Sequence, residues 1–133
     1  MRVALDTNVI SQYLAGKGEV VQQVNMLEAI VLPYFVVAEL LAGYQGGNRA
    51  TENIAILEEF LAKDGVTTLD PPTDDTRIIF ARLYGQLKKS GKMVSIIDIW
   101  IASECITSSV ELFSYDNDMD QIQQLLRYTT NSN

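Results

Sequence analysis

Short apolar runs, each too brief for a helix and each stopped by turn-forming residues, alternate along this chain with longer stretches of helical periodicity. That alternation leaves few folds open. Strands separated by helices pair in parallel, and strands covered on both faces read as continuous apolar runs. Residues 2–6 read as such a strand, ending in Asp6-Thr7-Asn8, a good turn or helix start. Further strands are predicted over 30–32, 66–69 and 111–115, with a fifth over 127–130. Helices are predicted over 9–15, 19–29, 35–44 and 48–63, then from a Thr73 cap through Lys88 and Lys89, from Ser95 onward, and as a short turn over 119–126. The 35–44 segment is apolar nearly all round, which predicts a buried helix. The expectation is one α/β domain, 1–133, with a mostly parallel sheet and helices on both faces; 129–133 reads as a loose tail.

With 133 residues, 47% of them hydrophobic and 20% charged, the chain is long and apolar enough to bury a core. It has no apolar stretch of the roughly 18 residues that cross a bilayer. Its start meets a charge too soon for a signal peptide. The one cysteine, Cys105, excludes an internal disulfide, fits a reducing cytoplasm and reads as a small apolar helix residue. The chain has no histidine. That excludes Ser-His and Cys-His nucleophiles and makes structural zinc untenable, so any chemistry runs on carboxylates, hydroxyls, Lys, Arg or a hard metal. A net charge of -7 argues against a broad electrostatic grip on nucleic acid. A local one is available through Arg77, Arg82 and Lys88, with Lys89 and Lys92 nearby, although the same stretch also reads as a solvated helix face.

Four acids stand where a core would prefer none. Asp98 is the only charge from Met93 to Ala102, Asp6 ends an apolar strand, Glu39 is alone between Phe35 and Ala42, and Asp116 follows Leu112-Phe113-Ser114-Tyr115. An ionised carboxylate among apolar neighbours loses hydration that they do not replace. Each acid has an ordinary explanation: Asp98 in a capping box opened by Ser95, Asp6 and Asn8 as turn formers, Asp116 in a solvated loop, Glu39 paired with an Arg. In an open parallel sheet, however, sites form at the carboxyl ends of strands where strand order reverses, and all four acids can converge there. Repulsion among them then raises their pKa values or demands a cation, and oxygen ligands favour Mg²⁺ or Mn²⁺. Such a site can activate water for attack on a phosphodiester. An aspartyl phosphatase also begins strand-Asp-turn, but it needs a second carboxylate where this chain has Asn8.

Leu5-Asp6-Thr7-Asn8-Val9-Ile10, Val37-Ala38-Glu39-Leu40, Ile97-Asp98-Ile99-Trp100-Ile101-Ala102 and Ser114-Tyr115-Asp116-Asn117-Asp118 together resemble, in order and spacing, the PIN-domain ribonucleases. Length and alternation resemble the VapC-type toxins of toxin–antitoxin pairs. The resemblance implies a three-layer α/β/α fold and a Mg²⁺-dependent endoribonuclease that hydrolyses RNA by metal-activated water. It implies Asp6, Glu39, Asp98 and Asp116 as catalytic and metal-binding residues, with Thr7, Asn8 and Ser114 orienting them. It also implies a homodimer and a small antitoxin that places a basic side chain in the acidic crevice. The alternative is a non-catalytic PIN-like module whose acidic pocket docks RNA or a basic peptide. Met119 stands where the family usually has Phe, and Ser114 replaces the commoner Thr while keeping the hydroxyl.

Overall fold

A computed structural model describes residues 2–130. Four parallel strands, β1 (Arg2–Leu5), β2 (Ala29–Leu32), β3 (Val66–Thr68) and β4 (Glu111–Phe113), form one sheet in the order β3-β2-β1-β4. Helices α1 (Thr7–Leu14) and α2 (Gly18–Asn25) connect β1 to β2, and α3 (Tyr34–Gln45) and α4 (Ala50–Leu61) connect β2 to β3. From β3 the chain crosses back through α5 (Asp74–Ser90) and α6 (Ile96–Thr107) to β4, on the other side of β1. This is the expected three-layer α/β/α architecture. Strand order therefore reverses between β1 and β4, where Leu5 pairs with Phe113. The core is filled by Leu5, Ile10, Leu32, Ile99, Ile101 and Leu112, all fully buried, as continuous apolar strands require. No helix among the described residues is long and apolar enough to cross a membrane.

Local chemistry sets the element ends. β1 stops at Leu5 because the Asp6 carboxylate accepts the Thr7 amide at 2.8 Å and starts α1 two residues earlier than the apolar pattern predicts. Thr73 caps α5, Asp74 and Asp75 sit in its first turn, Lys88 and Lys89 in its last, and Gly91 ends it in the left-handed region at φ 70°. Gly65 is needed for two reasons: its φ is +81°, and a Cβ there would lie 2.8 Å from the Glu28 carbonyl oxygen.

Three expectations are corrected. The fifth strand over 127–130 reduces to one parallel bridge at Arg127, because only Leu126 and Tyr128 reach the β4 backbone, straddling Leu112. The turn over 119–126 contracts to a 3₁₀ helix, Asn117–Gln121, started by the Asp116 carboxylate on the Asp118 amide at 2.9 Å. Helix α3 is not buried all round: only Val36 and Leu40 are fully covered, while Tyr34 and Leu41 are exposed beside an open groove that Leu69 also lines. Of the tail expected over 129–133, residues 131–133 lie outside the described residues.

Candidate functional site

The reversal of strand order creates the site. The Asp6 amide donates to the Phe113 carbonyl at 2.9 Å, which extends the β1–β4 ladder one step and sets Asp6 beside Ser114. Asp6 is only 3% exposed. The Ser114 hydroxyl donates to its second carboxylate oxygen at 2.5 Å and accepts the Asp116 amide at 3.0 Å. Asn8 closes the same junction, its amide nitrogen donating to the Ser114 hydroxyl at 3.4 Å and its oxygen accepting the Tyr115 amide at 3.1 Å. Two turn sequences from opposite ends of the chain thus hold Asp6 and Asp116 at adjacent strand ends.

The helices bring the other two acids. Glu39 is half-buried on α3, beside the inward-facing Leu40, and accepts a hydrogen bond from the Thr7 hydroxyl. Asp98 lies in the first turn of α6, where its amide donates to the capping Ser95 hydroxyl at 3.1 Å. The Ser95 cap expected from the sequence is therefore present.

Burial pushes the Asp6 carboxyl up, opposed by its hydrogen bonds from Ser114 and Thr7, and the charges of Glu39 and Asp116 raise it further. Asp98 is pushed up to about 6, chiefly by desolvation, against the Ser95 side chain, with Asp6, Asp116 and Glu39 each adding repulsion. The four carboxylates thus share one electrostatic field. The ion pairs among the described residues are Arg49–Glu52, Arg77–Asp74 and Arg127–Asp120, and none of them includes these four. The Arg partner that would have explained Glu39 is therefore missing among the described residues. No three of their Asp, Glu or Cys side chains are already gathered into a ligand cage. The donor set fits a hard divalent ion in its chemistry, being entirely carboxylate and hydroxyl oxygen.

The basic residues are placed differently. Arg77, Arg82 and Lys88 are exposed on α5, and among the described residues none of them is ion-paired with the four acids. Arg77 pairs with Asp74 at the start of that helix, about 16 Å along the axis from Lys88 at 1.5 Å per residue. Only the Lys88 end adjoins the short turn into the Asp98 helix. Cys105 is buried, with its thiol pushed up by desolvation, as an inert helix residue should be.

One acid escaped the sequence reading. Glu104 is 3% exposed on α6, and its carboxylate accepts the Tyr34 amide at 2.7 Å and the Phe35 amide at 3.2 Å. Burial raises its pKa, opposed by those two amides. The signal was available in Ile101-Ala102-Ser103-Glu104-Cys105-Ile106, a second lone acid in an apolar helix, and in Pro33, which offers the following helix no capping side chain.

The family model described as PIN domain matches residues 3–125. Among curated relatives, Ribonuclease VapC1 of Haemophilus influenzae is 24% identical over 116 residues, covering 84% of each chain. Ribonuclease VapC2 of Haemophilus influenzae is 25% identical over 132 residues, covering 98% of this chain and 96% of the relative. The fold is similar to the crystal structure of VapBC2 from Rickettsia felis bound to a DNA fragment from their promoter, with a TM-score of 0.86 at 20% identity, covering 96% of this chain and 98% of that one.

Proposed function

The chain belongs to the PIN-domain family, and from that premise we propose that it is a Mg²⁺- or Mn²⁺-dependent endoribonuclease, the toxin of a toxin–antitoxin pair. The observation that carries this reading is the field of four carboxylates at the β1–β4 junction, with no basic side chain among the described residues paired to any of them. Two relatives named as VapC ribonucleases support the substrate class.

Asp6, Glu39, Asp98 and Asp116 would hold the cation, which when bound activates water and offsets charge on the phosphodiester. The chain's own contribution is orientation. Ser114 fixes one Asp6 oxygen and the Asp116 backbone, and Thr7 fixes Glu39, so the carboxylates are aimed by hydrogen bonds rather than by packing alone. Asp98, pushed up to about 6, loses its charge as pH falls through that value, and the raised Asp6 carboxyl adds to the same acidic limb. Lys88 and Arg82 offer contacts to the RNA backbone. The unpaired acidic crevice also suits a basic side chain of a small antitoxin, and the reading includes a cytoplasmic homodimer formed by one domain spanning 1–133.

Cleavage of RNA by the wild-type protein with Mg²⁺, set against EDTA and against Asp6→Asn, tests the proposal. Loss of cleavage in both comparisons supports it. Full activity in EDTA or in the variant refutes it, and calorimetry with no Mn²⁺ uptake at millimolar concentration points instead to a non-catalytic module that binds RNA or a basic peptide.

A further inference from the structure

Glu104 is a buried carboxylate with no ion-pair partner among the described residues, and such a group is costly unless hydrogen bonds compensate. Its compensation comes from a different helix. The first amides of any helix lack partners inside it, and Pro33 at the N-cap of α3 has no side-chain acceptor to offer them. Glu104 takes two of them, at Tyr34 and Phe35, across roughly seventy residues of chain. The helix so capped carries Glu39, and the helix that supplies the cap carries Asp98. Stacking of Phe35 on Trp100, with ring centroids 5.3 Å apart, reinforces the same contact between the two helices.

We infer that Glu104 is a positioning residue for the acidic site: by accepting the leading amides of α3 it fixes the register of Glu39 against Asp98. It touches neither substrate nor cation. A neutral amide cannot replace it, because glutamine presents one acceptor oxygen where Glu104 uses two, and its amino group would face a donor N–H. Glu39 is the sixth residue of α3, a little over one turn beyond the capped amides, so a tilt of the helix at its start carries that carboxylate with it. The functional consequence rests on the metal-nuclease reading above.

The test compares Glu104→Gln with Val24→Ala, a buried truncation on α2, at temperatures where both variants are folded. Expected for Glu104→Gln are at least about tenfold faster hydrogen exchange at Tyr34 and Phe35, Mn²⁺ affinity weakened by about 10–100-fold, and kcat lowered with KM for RNA nearly unchanged. Val24→Ala should lose thermal stability and keep all three properties. Mn²⁺ affinity and kcat within about twofold of wild type in Glu104→Gln, or equal losses in Val24→Ala, overturn the inference. Should Glu104→Gln fail to fold, exchange in the wild type decides: Tyr34 and Phe35 amides as labile as uncapped first-turn amides refute the cap. A wild type that binds Mn²⁺ without cleaving RNA refutes the ribonuclease reading alone, and Mn²⁺ affinity then judges Glu104. A wild type that does neither refutes both.

Discussion

Replacing Asp98 by asparagine should separate stability from activity. In the folded chain this carboxyl holds its proton up to about pH 6, whereas its ordinary value is 3.8. Between those values the folded state binds more protons than the unfolded one, so stability falls as pH rises through the window and this group's penalty is complete above it. A shift of roughly two units corresponds to a ceiling near 3 kcal/mol at about 1.4 kcal/mol per unit. Because the carboxylate is only half-buried, solvent and salt screen it, and a penalty of about 1–1.5 kcal/mol is the reasonable expectation. Asparagine keeps the size and the α6 backbone, including the amide bonded to Ser95, and removes the charge. Thermal melts in EDTA should therefore show the variant about 4–6 °C more stable near pH 7.5, with most of that gain gone near pH 4.5. RNA cleavage with Mg²⁺ should fall by at least about a hundredfold. A variant that is no more stable than wild type near neutral pH, or whose gain is the same at both pH values, would refute the idea of an uncompensated acidic field.

Two other substitutions probe the frame around the acids. Ser114→Ala removes the hydroxyl that bonds the buried Asp6 carboxylate, so it should cost about 1–3 kcal/mol in denaturant melts. That bond also holds the Asp6 pKa down, so the acidic limb of the pH–rate profile should move to higher pH. Gly65→Ala forces a left-handed backbone on alanine and sets its Cβ against the Glu28 carbonyl, so it should destabilise by more than about 1 kcal/mol while leaving cleavage at low temperature intact.

The alternation of short apolar runs and helices made the sheet legible, because a two-sided parallel strand is apolar at every position and has to end abruptly. Leu5-Asp6, Leu32-Pro33 and Phe113-Ser114 are such endings. The same logic made the acids visible, since Asp6, Glu39 and Asp98 each interrupt an apolar run. Burial around α3 was not legible: Tyr34 and Leu41 are apolar yet face outward, and composition alone does not say which side of a helix meets the sheet. The role of Glu104 was hidden for a different reason. Its partners are backbone amides of a distant helix, which carry no residue signature. The basic cluster was close in sequence, but a straight helix spreads Arg77 and Lys88 along its length, so proximity in sequence did not become convergence in space.

The bond between Asp6 and Ser114 joins residues separated by 108 positions. During translation the first carboxylate emerges early, and its hydroxyl partner is among the last parts of the fold to be made. Strand β4 and the turn that follows cannot dock on β1 before then, so the site stays unfinished until both have been made. On the proposed reading, the site needs β4 and Ser114 in place, so a chain truncated before Ser114 should not cleave RNA.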